Sequence, residues 1–438
     1  MPSHNSVDVA GVPTTQSDLL GCPLRLPCGA VLPNRLAKAA LTEGLADERN
    51  RATLRHQALY RRWSLGGAGL CITGNVQVDR RFLERPGNVA VDGNGGEQSL
   101  ADLAAAGTLG GNHLWMQINH PGRQTPGHVH PFPLAPSAVP VELPGFGQPV
   151  EMSRLDISDV IRRFAYVAGI ARASGFTGVQ IHAAHGYLLS QFLSPLSNLR
   201  TDDWGGSLAD RARLLLTIVQ AVRAEVGTDF PIGVKLNSAD FQHGGFTSDD
   251  CLQVVVWLQE NGIDLLEISG GTYEAPQMVA ASRTRGDAPI LDAVRASTRA
   301  REAYFLEYAD RIRSVTTVPL MVTGGFRTAS AMHAALSSGN VDVIGLGRPL
   351  IVQPDGAARL LAGTALSLPA CEVTLKLDAA SSDQDEFLPV KGWGIQSWFC
   401  TQLLNLGDGQ EPDLAMSVAD ALNRYRVNEM TAMNNLQR

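Results

Sequence analysis

The chain is short of cysteine: 438 residues carry six, and no two of them form a CxxC pair. That spacing excludes a zinc or iron–sulfur framework, and so few thiols suit reduced cysteines in a cytoplasmic protein better than disulfide staples. Long apolar runs are missing as well. No stretch approaches the roughly 18 residues of a membrane span, and MPSHNSVDVAGVPTTQSDLL at the start lacks the basic end and apolar centre of a secretory signal. Nor is there an excess of positive charge. Lys and Arg number 36 against 43 Asp and Glu, a formal charge of -7, without the basic footprint that phosphate backbones require. Neither nucleic acid nor a membrane is therefore an expected partner, which leaves a small molecule. Also absent is the glycine-rich turn after a first strand that marks a doubly wound dinucleotide-binding fold.

What is present is a large apolar supply, 44% hydrophobic against 18% charged residues, enough for a sizeable core and incompatible with a mostly disordered chain. Short β-rich runs alternate with helical patterns, the signature of βαβ units around a parallel sheet. Eight such runs occur: NRLAKAALT (34–42), GLCITGNVQ (69–77), HLWMQINH (113–120), GVQIHAA (178–184), PIGVKLN (231–237), LLEISGG (265–271), PLMVTGG (319–325) and VDVIGLGR (341–348). Segments such as DVIRRFAYVAGIARASG, SLADRARLLLTIVQAVRAEVG and TSDDCLQVVVWLQENG lie between them, with apolar residues at three- and four-residue spacing. Eight units predict an α/β fold, a closed (β/α)8 TIM barrel over residues 1–365 with a short N-terminal arm. Excursions follow strands three (121–157) and four (185–206), on the face where barrels carry their active sites. A C-terminal extension, 366–438, stands outside the count. A Ser/Asp-rich stretch, DAASSDQDEF, opens it, and its Trp393, Trp398 and Phe399 suggest either a subunit contact or a tail folded back on its own barrel.

Residues at the C-terminal ends of barrel strands carry the functional weight. Here they are Thr42, Gln117, His120, His182, His185, Tyr187, Lys235 and Asn237. The last two strands end in TGGFRT (323–328) and GLGRP (345–349). Glycine turns at that place let backbone N–H groups approach an anion, and Arg348 adds a charge-assisted partner, so a phosphate group is implied. Glycines serving only tight turns are the plainer alternative.

HAAHGY (182–187) has two imidazoles three apart and then a phenol. Metal binding is disfavoured, because HxxH lacks the helical spacing and intervening acid of HExxH. Two structural histidines satisfied by backbone groups would explain the pair without chemistry. The remaining reading is two N–H donors that hold a substrate oxygen on which negative charge develops, with Tyr187 as the proton source. No side chain supplies a hydride, so that reading requires a phosphate-bearing redox cofactor.

HAAHGYLLSQFLSPLSNLRTDDWGGSLADRAR, PIGVKLNSADFQHGGFT, WMQINHPGR, LAPSAV and GLGRPLI resemble the Old Yellow Enzyme family of FMN-dependent NADH:flavin oxidoreductases over roughly residues 20–360. The resemblance implies FMN as cofactor, NADH or NADPH as hydride donor, and an activated alkene as acceptor. It further implies that His182 and His185 grip the electron-withdrawing group of that alkene while Tyr187 protonates the neighbouring carbon. Gln117 and Lys235 would sit at the pyrimidine edge of the flavin, Thr42 beside the carbonyl next to N5, and Gly74 would leave room for the ring. Gly324, Gly325, Gly347 and Arg348 would take the phosphate. A homo-oligomer is expected from the family. Thr42 stands where one branch has a cysteine, Glu43 and Gly44 replace an aromatic, and Trp204 replaces a common tyrosine and reads as core packing. The cysteine cluster of the iron–sulfur branch is absent. The pocket there would be more open or more polar, and Glu43 near it keeps open the oxidation of an amine or an N-methylated amino acid; a non-catalytic flavin or metabolite binder is the alternative of another class.

Overall fold

The computed structural model describes residues 19–271, 306–375 and 390–436. The Ser/Asp-rich stretch and the side chain of Trp393 lie outside the described residues. Eight parallel strands close into a barrel: β1 (Leu36–Lys38), β2 (Leu70–Gln77), β3 (His113–Asn119), β4 (Gly178–Ala183), β5 (Ile232–Asn237), β6 (Leu265–Ser269), β7 (Leu320–Thr323) and β8 (Val343–Leu346). Each is followed in the chain by a helix: α1 (Leu54–Ser64), α2 (Glu97–Gly107), α3 (Arg154–Ala173), α4 (Leu208–Val226), α5 (Ser248–Glu260), α6 (Leu306–Arg313), α7 (Ala329–Ser337) and α8 (Gly356–Leu361). Every strand is buried along almost its whole length, as strands covered by helices outside and side chains inside must be.

The helices start where short polar side chains can take up free N–H groups. Ser207 accepts from Asp210 N, and Thr247 and Asp250 form a capping box, each such cap being worth about 1 kcal/mol. Ser153 and Asp156 form another. That box moves the start of α3 to Arg154, ahead of the DVIRRF segment and inside the stretch assigned to the excursion, because SRLD satisfies two amides at once. β1 is also shorter than its nine-residue run: beyond Lys38 the chain leaves the ladder after Ala39 N–H has bonded Leu346 O.

The barrel interior divides along its axis. Leu70, Trp115, Leu265, Met321 and Val343 fill the N-terminal half together with Leu26 and Leu32, which belong to an N-terminal hairpin (Leu24–Arg25 paired with Val31–Leu32) that plugs this end. Trp115 fits because β4 and β5 have no side chain beside it: a Cβ at Gly178 would strike its ring, and one at Gly233 would come within 2.9 Å of it. Side chains alternate across a strand, so the next inward positions after this apolar floor are Gln117, Gln180, Lys235 and Glu267.

The excursions after β3 and β4 are stitched to each other by buried polar groups. Arg200 donates to Pro136 O and Met152 O at 3.0 and 2.7 Å, and Gln191 donates to Pro121 O and Gly186 O. Trp204 packs against the core edge. Beyond the barrel, α9 (Val390–Gly407) packs on α1 and pairs with α10 (Val418–Leu436). Trp398 and Phe399 are buried in that packing, with Trp398 Nε1 donating to Met416 O. These two rings are therefore taken up within the chain and are not free to form a subunit contact. No described helix is long and apolar enough to cross a membrane.

Candidate active site

Above the apolar floor runs a continuous polar row. Gln117 Nε2 donates to Gln180 Oε1 at 2.6 Å, Gln180 Nε2 donates to Glu267 Oε2 at 2.8 Å, and Lys235 Nζ lies 3.1 Å from Glu267 Oε1. Strand register dictates the row, since Gln117 pairs with Gln180 and Glu267 with Lys235 on adjacent strands. All four side chains are buried, so the pairing must hold: an ion in such a place is tolerated only with a partner. Gln180 and Glu267 are not among the residues that strand ends single out, although their polar side chains share the inward faces of apolar strands with His182 and Ser269.

One step further along the strands stand His182, His185 and Tyr187. Ring centroids of His182 lie 5.0 Å from His185 and 4.9 Å from Tyr187, both edge to face. Ala184 N–H donates to His182 Nδ1 at 3.2 Å, which places the ring proton on Nε2. His185 Nε2 shares a 2.7 Å hydrogen bond with Ser269 Oγ. His185 adopts φ +62, followed by Gly186 at φ +76. A non-glycine residue there costs on the order of 1 kcal/mol or more. The site holds it by its backbone, with His185 N–H donating to Asn237 Oδ1 at 3.1 Å and Gln124 Nε2 donating to His185 O at 3.0 Å.

Burial holds both imidazoles well below their usual range, reinforced at His182 by His185 and Lys235 and at His185 by Lys235. They are neutral N–H donors at physiological pH. His120 takes no part in the trio: its ring rests on Phe82, its Nδ1 accepts Gly122 N–H, and burial pushes it down to about 4. The unfolded chain takes up protons on all three near pH 6.5, before the folded state does. Stability is therefore full above that pH and falls as pH drops, by about 1.4 kcal/mol per unit for each ring. The urea midpoint should drop clearly between pH 7.5 and 5.0; an unchanged midpoint would refute the neutral assignment.

Thr42, at the end of the β1 segment, donates from Oγ1 to Glu84 at 3.0 Å. Glu43 turns away from the mouth, which corrects the expectation of a more polar pocket. It is 7% exposed, accepts Gly74 N–H at 2.8 Å and bonds the Tyr60 hydroxyl, which Lys38 Nζ also approaches at 3.3 Å. A Cβ at Gly74 would strike that carboxylate and lie 2.5 Å from Leu41 O. Packing inside the chain by itself requires a glycine at this position.

Gly324 and Gly325 have φ +142 and +80, and Gly347 and Arg348 follow β8. In the barrel order β6-β7-β8-β1, these turns lie between Ser269 and Thr42. Arg348 stacks on Phe399 of α9 at 5.8 Å, and both it and Arg327 face Glu372, at 3.8 Å from Arg348. Among the described residues no group of three His, Cys, Asp or Glu side chains is placed to hold a metal.

The model of the NADH:flavin oxidoreductase / NADH oxidase family matches residues 23–366. The chain belongs to that family. An NADH-dependent flavin oxidoreductase of Talaromyces variabilis, iccE, is 39% identical over 355 residues, 76% of this chain and 83% of its own length. Its counterpart iliE from Neonectria sp. (strain DH2) is 38% identical over 81% of this chain, which spans only 48% of that protein. Among solved structures, an old yellow enzyme homologue from Zymomonas mobilis superposes with a TM-score of 0.66 at 25% identity, covering 84% of this chain and 99% of the other. This member of the NADH:flavin oxidoreductase family is an FMN-dependent enzyme with a reduced nicotinamide as hydride donor. Its residues fit the cofactor. A buried amide, Gln117, and a buried ammonium, Lys235, offer the donors that a pyrimidine edge needs, and two positive-φ glycines with Arg348 offer a phosphate cradle.

Proposed function

We propose that this enzyme reduces the carbon–carbon double bond of an activated alkene such as an enone or nitroalkene. The observation that carries the reading is the trio of two neutral imidazoles and a phenol packed ring to ring at the mouth of a flavin barrel. Bound FMN supplies the hydride, drawn in turn from the nicotinamide. Gln117 and Lys235 bind the cofactor's polar edge, and the glycine turns with Arg348 bind its phosphate. His182, through Nε2–H, and His185 hold the substrate oxygen on which negative charge grows, already oriented for it. Tyr187, protonated at neutral pH, gives its proton to the carbon beside the activating group.

The amine-oxidation alternative loses the carboxylate it relied on, since Glu43 is engaged with Tyr60 and Gly74. Tyr187→Phe should lower alkene reduction on the order of 10²-fold while leaving reduction of the flavin by NADH or NADPH intact. Anaerobic bleaching by the nicotinamide, followed by recovery of colour with cyclohexenone, reads the two halves separately. A variant as fast as wild type in the second half would remove Tyr187 as donor, and bleaching by amines but by neither nucleotide would reverse the direction of the reaction.

A further inference from the structure

Tyr187 is buried, 4% exposed, and a phenol that has given up its proton there must regain it before the next turnover. Its hydrogen bond to the side chain of Glu84 offers the route. Glu84 lies on the turn after β2 and is half-buried, nearer the surface than the enclosed phenol. Thr42 and the Asn75 side-chain amide donate to the same carboxyl group and fix its orientation. The turn itself is anchored from behind. Arg85 is buried against Glu429 at 3.1 Å and under the Tyr425 ring, both on α10, and packs so closely on Gly44 that a Cβ there would strike its guanidinium.

We propose that Glu84 returns a proton to Tyr187 after each reduction, acting through that residue as a positioning and relay group. The inference rests on Tyr187 being the donor to carbon. The Tyr187 O–H bond breaks as the substrate C–H bond forms. The Glu84 O–H bond then breaks as the Tyr187 O–H bond re-forms, and water reprotonates Glu84. The relay moves protons alone and changes no oxidation state. Burial raises the affinity of Glu84 for its proton, the direction a donor needs, while Asn75, Arg85, Thr42 and Tyr187 pull the other way. The titratable groups facing it are Arg85 on its own turn, Tyr187 on the β4 loop and Tyr425 on α10.

The test uses the FMN-loaded enzyme as wild type, Glu84→Gln, Tyr187→Phe and the double variant. Reoxidation of the bleached flavin by cyclohexenone and turnover against pH are measured for each. Glu84→Gln should slow turnover on the order of tenfold, and the double variant should be no slower than Tyr187→Phe alone, the non-additivity of groups in one chain. Wild-type turnover should fall as pH rises through a carboxyl group titrating above the usual range; Glu84→Gln should lack that limb and Glu84→Asp should keep it. A Glu84→Gln loss that persists undiminished in the Tyr187→Phe background, or a wild-type rate and profile in Glu84→Gln, overturns the relay while leaving Tyr187 in place. Wild-type reoxidation in Tyr187→Phe overturns both readings together. Flavin content and thermal midpoint, measured for every variant, separate these outcomes from a fold that has failed.

Discussion

Lys235→Ala is expected to cost about 3–5 kcal/mol of folding stability at neutral pH, the range for breaking a buried ion pair from one side. Glu267 has no exposure at all, and among the described residues the Gln180 amide is then the one hydrogen-bond partner its carboxylate keeps. Its charge then has to be carried unpaired inside the barrel or neutralised by a proton. The second course gives the substitution a signature that a simple cavity would not have. In the variant the folded-state carboxyl titrates above the unfolded one, so the deficit is largest at neutral pH and shrinks as pH falls toward the ordinary carboxylate range. Pairing the change with Glu267→Gln should return a substantial part of the loss, since no buried charge is left over. Urea unfolding of the single and double variants at pH 7.5 and 5.5 provides the check. A single variant within about 1 kcal/mol of wild type, with no pH dependence of the difference, would show that the pair does not hold the polar row together. The same substitution should weaken FMN retention, read as flavin fluorescence released on dilution, because it removes the one ammonium in the row.

Much of this architecture is legible because a parallel barrel writes itself in apolar runs. Each of the eight runs contains a strand, and the inward-facing Gln117, Lys235 and His182 follow from strand ends and the period of two. Applied with equal strictness, that period also shows Gln180 and Glu267, since an ionisable residue in the middle of LLEIS can only face a partnered interior. Other features have no such signal. Glu84 sits on an irregular turn, and its meeting with Tyr187 and Thr42 depends on where three separate loops converge. Glu43 is drawn toward the pocket by its neighbour Thr42, but adjacent residues of an extended segment face opposite ways, and the carboxylate goes outward to Tyr60. At Gly74 the missing side chain signals crowding, and the Glu43 carboxylate and Leu41 O that crowd it come from a segment distant in sequence. The two-residue strands of the plugging hairpin are too short for any alternation to show.

His182→Ala and His185→Ala should each lower alkene reduction by about 10²–10³-fold, the usual loss when one donor to a developing oxyanion is removed. Reduction of the flavin by the nicotinamide should fall far less, because no oxyanion forms in that half. The two positions are not equivalent, however. His182 sits on β4 with ordinary strand geometry, and its ring proton is fixed by the Ala184 amide. His185 stands in the left-handed region, held through its backbone by Asn237 and Gln124. Alanine at 185 therefore adds backbone strain to the loss of a donor, whereas asparagine tolerates that conformation and offers an N–H of its own. His185→Asn should keep activity within about tenfold of wild type, and His185→Ala should lose thermal stability as well as rate. Reoxidation rates with cyclohexenone, set beside melting temperatures, distinguish the two contributions. If removing both rings left reoxidation within about tenfold of wild type, the imidazoles would not be holding the charge, and their neutrality and tight packing would have to be explained as structure alone.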